Sequence, residues 1–405
     1  MKAGAGLMAR RLLAGAGRVV SLVVAASASL GCGARSGLLS FGDAGGGGVA
    51  MAVAGNATVG NDVAGGGQRA VGSPDPSTGT DLPQWKLLAA AGPRARWGNG
   101  IVYDEKRERV TIYGGWSNSA GSDGHWPLND TWEWDGESWT LMANARSDGT
   151  YQVGTAPLAW IEFGMTYDSR RQRVISHGGY TNGNPDNCGA VDPLLSASRA
   201  TWQWDGSDWQ PLTCDGPEAI NIELVYDSAR DRVVMVGGVV DPPPSRRGSR
   251  YGTWELTGDS WLRVGDAPAL NTETPPLAVP GYAMAFDPQR AVTVMQVNAQ
   301  TWEYAGSSWE LKSEDGPPEV PFGMMAVRYG SEMAYDAHRQ RIVLLVYDAT
   351  WEWDGKRWQE RAVAPSPARA SAHLTYDAAQ GYVLLFGGDD GDYGHGPLDG
   401  TWVYR

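Results

Sequence analysis

Three arginines recur at one position of a repeated segment, where their side chains could bind an anionic group. Arg96, Arg328 and Arg369 each stand seven residues before the Tyr of a Tyr-Asp pair. A guanidinium group suits the paired oxygens of a carboxylate or a phosphate. Glu332 and His373 stand three residues before a Tyr of the same kind. They could join the arginines around a ligand, or pair with them in a structural network.

Tryptophans that no repeat requires form a second group of candidate ligand-binding residues. They fall on predicted loops or strand starts of the first two repeats, and they are Trp97, Trp116, Trp126 and Trp160. A tryptophan that does not serve a core can stack on a sugar ring or anchor a protein partner. Packing within its own loop is the alternative.

Motifs that would indicate an enzyme are missing. The sequence contains no Gly-x-Ser-x-Gly, no zinc-ligand spacing and no phosphate-binding glycine loop, and it has only five His. Asp389, Asp390 and Asp392 could hold Ca²⁺ through their oxygens, but a polar turn is the simpler interpretation. We therefore predict no catalytic residue, no metal site and no cofactor.

A repeated pattern indicates the elements that position these side chains. Six segments share one order: Tyr-Asp or Phe-Asp, a charged turn, an apolar strand often ending in Gly-Gly, a variable loop, and Thr-Trp. A second Trp follows the first by seven residues, as in TWEWDGESW. Each repeat has turn signals for about four short strands. Such a sheet cannot bury its aromatic faces alone, so similar sheets must stack, and radial stacking gives a propeller.

The two ends of the repeat region complete each other. The last repeat stops at Arg405, before its second Trp, whereas an equivalent segment, QWKLL around Trp85, precedes the first repeat. A strand at Trp85 can therefore supply the missing outer strand of the last blade. The sequence predicts an all-β fold over residues 83–405, a six-bladed β-propeller of four-stranded antiparallel blades closed by this N-terminal strand.

The Gly-Gly after the second strand, the Tyr-Asp turn and the paired late aromatics resemble kelch repeats. The likeness covers residues 84–405 and is greatest to bacterial kelch-repeat propellers, which are similar to the central domain of galactose oxidase. Repeats four and five depart from the pattern, since they lack Gly-Gly near Val297 and Val346. The copper site of such oxidases needs a Cys-Tyr crosslink and two His, and neither Cys of the repeat region falls on an inner strand. The resemblance therefore does not extend to that site.

One rim of the predicted propeller carries the long connections. In an up-and-down blade, the loops between second and third strands share a rim with the links between blades. These loops are long in blades one, two, three and six, at 116–130, 180–199, 239–252 and 389–400, and very short in blades four and five. A ligand would bind at such an asymmetric rim.

The first functional hypothesis is a cell-envelope binding module that presents this rim to a glycan or protein partner. The resemblance to bacterial kelch-like propellers also implies a sugar-isomerising enzyme, with Glu332, His373 and the arginines in the channel mouth. A non-catalytic envelope scaffold is a third possibility. A net charge of −13 argues against nucleic acid or an anionic membrane surface as partner, and we expect a monomer.

The N-terminal residues predict export. A basic segment that ends at Arg18 precedes an apolar run of small residues at 19–30, which is too short for a mature membrane span. We assign residues 1–31 to a signal peptide. The next residue, Cys32, follows Gly31 and resembles the acylated Cys of bacterial lipoproteins, although Ser29 stands where that family usually has Leu. An ordinary secretory signal is the alternative.

Residues 32–82 are dominated by Gly, Ala, Ser and Val and predict a flexible tether. About 50 such residues have a root-mean-square reach of roughly 40 Å. A lipid on Cys32 would be the chain's only membrane contact, on the outer membrane or cell surface; a periplasmic or secreted protein is the alternative. Cys188 and Cys214 remain, an even number that allows a disulfide in an oxidising compartment or two buried thiols.

Overall fold

The computed structural model describes most of the repeat region. It covers residues 83–88, 92–117, 126–143, 156–157, 161–180, 188, 197–239, 251–268, 270, 281–318, 331–361, 367–389 and 397–405. The chain divides into two units, Met1–Asp75 and Pro76–Arg405, and every described residue lies in the second. The predicted signal peptide, Cys32 and the predicted tether lie outside the described residues.

In the first three repeats the Tyr-Asp and Thr-Trp segments lie within short strands, and the strands of each repeat form one antiparallel sheet. The strands of blade one are β2 (Gly100–Asp104), β3 (Arg109–Tyr113), β6 (Thr131–Trp134) and β7 (Trp139–Ala143), with the ribbon β4 (Trp116–Ser117) and β5 (Trp126–Pro127) between β3 and β6. Blade two contains β8 (Ile161–Asp168), β9 (Arg173–Tyr180), β10 (Thr201–Trp204) and β11 (Trp209–Thr213). Blade three contains β12 (Glu223–Asp227), β13 (Arg232–Val239), β14 (Tyr251–Thr257) and β15 (Ser260–Asp266).

The last three repeats form equivalent sheets. Blade four contains β16 (Tyr282–Asp287), β17 (Val292–Val297), β18 (Gln300–Tyr304) and β19 (Trp309–Ser313). Blade five contains β20 (Ser331–Asp336), β21 (Arg341–Val346), β22 (Ala349–Trp353) and β23 (Trp358–Arg361). Blade six contains β24 (Ala370–Asp377), β25 (Tyr382–Asp389), β26 (Thr401–Tyr404) and β1 (Trp85–Leu88).

Closure by the N-terminal strand is confirmed. β1 pairs antiparallel with β26, so that Trp85 lies opposite Tyr404. Backbone bonds extend the ladder from the amide of Gln84 to the carbonyl of Arg405 at 2.9 Å and back at 3.2 Å. The first strands of neighbouring blades contact one another all the way round, from β2 through β24 and back to β2. The fold is therefore a closed ring of six four-stranded blades, and its inner strands surround the axis.

The two tryptophans of the repeat differ in role, and the second one joins adjacent blades. Its indole N–H donates to the Thr of the Thr-Trp pair in the preceding blade. The six pairs are Trp85–Thr350 (2.8 Å), Trp139–Thr401 (2.9 Å), Trp209–Thr131 (2.9 Å), Trp261–Thr201 (2.9 Å), Trp309–Thr253 (2.8 Å) and Trp358–Thr301 (2.7 Å). One such bond therefore spans every joint of the ring.

The Asp-x-x-Arg turn carries an ion-pair network within the blade. Asp104 accepts from the backbone amide and from Nε of Arg107, at 3.0 and 2.8 Å, and Arg107 also pairs with Glu133 on β6. The same arrangement recurs as Asp227–Arg230–Glu255, Asp287–Arg290–Glu303 and Asp336–Arg339–Glu352. It fixes the first hairpin to the third strand, and it satisfies carboxylates that burial would otherwise destabilise.

Blades four and five connect their second and third strands by two-residue turns. In blade four, Val297 pairs with Gln300, and the intervening Asn298 and Ala299 have φ of 51° and 61°. Two such residues define the tight hairpin turn that suits the twist of antiparallel strands. This turn explains why these blades lack Gly-Gly and a long loop.

A disulfide joins Cys188, in the loop between β9 and β10, to Cys214, just after β11, with a Cα–Cα distance of 5.4 Å. This is the pairing that the even cysteine count allowed. The described residues contain no helix. Consequently, none of their segments is a candidate membrane-spanning helix.

Candidate functional site

One end of the propeller, called here the long-loop rim, collects the long connections. The inner strand of blade one begins at Gly100, opposite Tyr113 at the end of β3. The same antiparallel pairing holds in every blade, so the links between blades and the second-to-third-strand loops meet at this rim. Residues 118–125, 181–187, 189–196, 240–250 and 390–396 of the four predicted long loops lie outside the described residues.

Three of the four candidate tryptophans come together at the rim of blade one. Trp97 and Trp116 exchange backbone hydrogen bonds at 3.1 and 2.8 Å, and their ring centroids lie 6.4 Å apart. Trp116 begins β4, in which Ser117 pairs with Trp126 of β5. The backbones of Trp97, Trp116 and Trp126 thus form one small sheet outside the blade, called here the tryptophan ribbon. Trp160 lies outside the described residues.

Both described side chains of the tryptophan ribbon, Trp97 and Trp116, are partly exposed. They contrast with Trp85 and Trp209, which are 2% and 3% exposed and hold blades together. A partly exposed indole offers an apolar face for the C–H face of a sugar or for an apolar side chain. The ribbon therefore has the chemistry of a binding surface.

Arg96 is buried and bonded within its own blade. It is 0% exposed; its two Nη atoms bond both carboxylate oxygens of Asp130, at 2.6 and 3.0 Å, and Nη1 also donates to the carbonyl of Gly114 at 2.8 Å. The guanidinium holds the pKa of Asp130 below its usual range, against the effect of burial. Its fork ties the Gly-Gly bend of blade one to the start of the third strand. The ligand role predicted for Arg96 stays a prediction.

Arg369 has the same structural position in blade six. Its Nη1 donates to the carbonyls of Gly387 and Asp399 at 2.8 and 3.3 Å, and its guanidinium carbon lies 5.8 Å from the ring centroid of Trp402. Burial lowers the pKa of Arg369 to about 10. Nη1 of Arg369 is thus used inside the blade, and the ligand role predicted for Arg369 stays a prediction. Arg328 lies outside the described residues.

Glu332 and His373 do form a pair. They lie on the inner strands of blades five and six, and Nδ1 of His373 is 3.4 Å from Oε1 of Glu332. Their side chains are 17% and 18% exposed. A carboxylate beside an imidazole at a partly open position can transfer protons, or simply hold two strands together.

Unusual backbone conformations occur at one position of the four blades that carry the long loops; the equivalent position of blade five, 330, lies outside the described residues. At the rim end of their inner strands, one residue per blade adopts a left-handed φ: Gly98 (65°), Glu162 (61°), Asn221 (56°) and Ser371 (53°). Backbone bonds link neighbours in this set, from the amide of Asn221 to the carbonyl of Glu162 at 2.9 Å and from Gly98 to Ser371 at 3.4 Å. Non-glycine residues in such conformations cost about 1–3 kcal/mol each and cluster at functional sites.

These conformations could have been found in the sequence. Glu162 and Ser371 interrupt the strand pairing without shifting its register: the pairs on either side are Ile161–Tyr180 and Phe163–Gly178 in blade two, and Ala370–Asp389 and Ala372–Gly387 in blade six. Each residue therefore lies beside the Gly-Gly pair of its own blade, whose glycines also have positive φ. The Gly-Gly pairs of blades one, two, three and six were the sequence signal for these backbone conformations, and we did not predict the conformations from them.

Within the described residues, no group of three or more His, Cys, Asp or Glu is placed to hold a metal ion. His177 lies in the joint between blades two and three, 1% exposed, with Nδ1 2.8 Å from Oγ1 of Thr201. Burial lowers the pKa of His177 to about 4. The imidazole is therefore a neutral core residue at neutral pH.

One solved structure agrees with the fold that the geometry defines. A Hadza microbial sialidase is similar in fold, with a TM-score of 0.50 and 13% identity; the match covers 77% of this chain and 65% of that one, which is less than two thirds of its length. A chain of a nidogen/laminin complex aligns with a TM-score of 0.37 and 12% identity, over 64% of this chain and 76% of that chain. No family model and no curated protein matches the sequence. The chain is a six-bladed β-propeller, and at this identity the likeness extends to the fold alone.

Proposed function

We propose that this propeller is an exported, kelch-like binding module that presents its long-loop rim to a glycan or protein partner. The observation that carries the proposal is the tryptophan ribbon. It brings Trp97, Trp116 and Trp126 together outside the blades, and the six blade joints are closed by other tryptophans. The two described indoles are therefore not required to close the ring, and their exposed faces suit recognition.

The surrounding rim supports the same function. Glu162, Asn221 and Ser371 hold left-handed backbone conformations at the rim end of the inner strands, on blades with long loops. Such conformations persist where the surrounding structure determines them, and they often serve binding.

Export is part of the proposal. The Cys188–Cys214 disulfide suits an oxidising compartment outside the cytoplasm. The predicted signal at 1–31, the lipid on Cys32 and the tether at 32–82 would place the propeller on the outer membrane or cell surface. Mass spectrometry of the native N-terminus tests the anchor: an unmodified start downstream of Cys32 would leave a periplasmic or secreted protein.

The rim is tested with the full chain on a glycan array and in pull-downs with envelope proteins. Once a partner is found, Trp116→Ala should weaken binding at least tenfold, because a buried aromatic anchor contributes about 2 kcal/mol or more at an interface. Trp351→Ala is the matched control, since Trp351 is a partly exposed indole of blade five, away from the long loops. Equal affinity of wild type and both variants would remove the rim as the binding surface.

The Glu332–His373 pair favours a second candidate, a sugar-isomerising enzyme of the mutarotase or epimerase type. In that case one group would take a proton from the sugar and the other would return it. Glu332→Gln keeps the size of the side chain but removes its basicity. An enzyme loses turnover of the sugar in this variant, measured by NMR exchange between anomers or epimers, whereas a binding module keeps its affinity and shows no turnover in wild type.

A further inference from the structure

A cleft opens on the outer wall of the propeller, where blade three meets blade four. Its volume is about 260 Å³. It lies between the end of β15 and the hairpin that joins β18 to β19, and none of the candidate residues above lines it. The residues that decide its chemistry are Asp266, Trp302, Tyr304, Ser307, Ser308 and Trp309.

Trp309 gives the cleft an open aromatic wall. The equivalent tryptophans of the other five joints are 2–9% exposed, whereas Trp309 is partly exposed. Its indole N–H already donates to Oγ1 of Thr253 at 2.8 Å, and the hydroxyl of neighbouring Tyr304 donates to Glu255 at 2.9 Å. Because its N–H is occupied within the protein, the partly exposed indole of Trp309 offers its carbon face, which favours stacking over hydrogen bonding; Tyr304 behind it is 2% exposed.

The turn beside this wall lacks a carboxylate that equivalent turns have. In blade one, Asp135 accepts from the amides two and three residues later, at 2.9 and 2.8 Å. Asp205 in blade two and Asp354 in blade five do the same. Blade four has Ala305 at this position.

Two amides of blade four are affected by this difference. Ser307 and Ser308 both line the cleft. Without an Asp at position 305, their amides lack the acceptor that Asp135 gives the amides of Glu137 and Ser138 in blade one. The hydroxyls and amides of these two serines are the polar groups that this side of the cleft offers to an oxygen-bearing ligand.

The opposite side of the cleft supplies an acceptor. Asp266 ends β15, its side chain is 53% exposed, and it pairs with Arg263. This carboxylate, within a protein of net charge −13, disfavours an anionic ligand. A neutral polyol suits the arrangement, since its hydroxyls can both accept from amides and donate to a carboxylate. A sugar ring adds an apolar C–H face for the indole.

We propose that this cleft binds one neutral pyranose unit of a glycan. Its volume is below the roughly 300–1,000 Å³ of sites for drug-sized ligands, which limits the occupant to about one ring. The site is separate from the tryptophan ribbon and does not depend on the function proposed for the rim.

The test uses the full chain with three probes: methyl β-D-glucopyranoside, methyl β-D-galactopyranoside and N-acetyl-D-glucosamine. Saturation-transfer NMR should detect binding of at least one, strongest at the ring protons of one face, and titration gives its affinity. Trp309→Ala should abolish the transfer. Binding by none of the three probes would overturn the proposal.

A second variant separates recognition from folding. Ala305→Asp restores the carboxylate of the other blades, which should take up the amides of Ser307 and Ser308 and lower probe affinity at least tenfold without loss of stability. Thr257→Asp is the matched control, because it adds the same charge at the blade-three turn outside the cleft, and it should bind as wild type. Equal affinity of Ala305→Asp and Thr257→Asp would contradict the proposed contacts. Trp116→Ala should leave probe binding unchanged, so failure here and failure of the rim proposal are distinguishable.

Discussion

The bond between Trp85 and Thr350 makes the contribution of ring closure measurable. Thr350 is 0% exposed and Trp85 2%, and their hydrogen bond of 2.8 Å joins the N-terminal strand of blade six to blade five. Thr350→Val has almost the same shape but no acceptor, so it leaves a buried indole N–H without a partner. We expect the free energy of unfolding to fall by about 1–3 kcal/mol, the cost of an unsatisfied buried donor.

A double-mutant cycle isolates this bond from the packing around it. Trp85→Phe removes the donor, so Thr350→Val should cost close to nothing in that background, and the coupling energy between the two sites should be about 1–3 kcal/mol. Denaturant unfolding of the four proteins gives the free energies. The Trp309–Thr253 pair is the control, since Trp309 is partly exposed and its freed N–H can be hydrated. Because Thr253 also donates to the carbonyl of Asp266 at 3.1 Å, the comparison uses the coupling energy between Thr253→Val and Trp309→Phe, which should be smaller than that between Thr350→Val and Trp85→Phe.

A coupling energy of zero would contradict this role for the bond. If Thr350→Val lowers the free energy of unfolding equally in the wild type and in the Trp85→Phe variant, the hydroxyl acts through something other than the indole. The bond would then add nothing to closure, which would depend on the β1–β26 ladder and on buried aromatic area.

Two further predictions concern stability. Below pH 6.5 an unfolded His177 takes up a proton that the native residue, with a pKa of about 4, does not. The free energy of unfolding should therefore fall by about 3 kcal/mol in total as the pH drops from 6.5 to 4. Denaturation at several pH values should show that His177→Gln loses this pH dependence. An unaltered pH profile in the variant would assign the dependence to other groups. Cys188 and Cys214 are separated by 26 residues in the sequence, and replacing both with Ser should cost roughly 3 kcal/mol by loss of chain constraint. Reductant should lower the free energy of unfolding of the wild type by the same amount and leave that of the double Ser variant unchanged. An effect of reductant on the variant would contradict this.

Much of the fold was predictable because the sequence holds six copies of one segment, and a residue that recurs in all of them marks a structural position. The Thr-Trp pairs and the second Trp indicated the blade count, and the fragment at Trp85 indicated closure, which the β1–β26 register confirms. The role of the repeated Thr was not predictable. It bonds a tryptophan of the next blade, and a repeat pattern shows only that a residue recurs, not which neighbour it contacts.

The candidate site was predictable only in part. Spacing placed Arg96 and Arg369 near the channel mouth, but it could not give the direction of their side chains, which is set by Asp130 and the Gly-Gly carbonyls. Glu332 and His373 were predicted to join the arginines around a ligand or to pair with them; the structure places Nδ1 of His373 at 3.4 Å from Oε1 of Glu332.

Periodicity along the chain was enough to establish the blade count, the closing strand and the residues that recur. It could not show that Trp97, Trp116 and Trp126 share one ribbon, or that Ser308 and Asp266 border the same cleft. Such contacts join residues that are far apart in sequence or belong to different blades. Their geometry follows from how the sheets pack against one another, which no local pattern encodes.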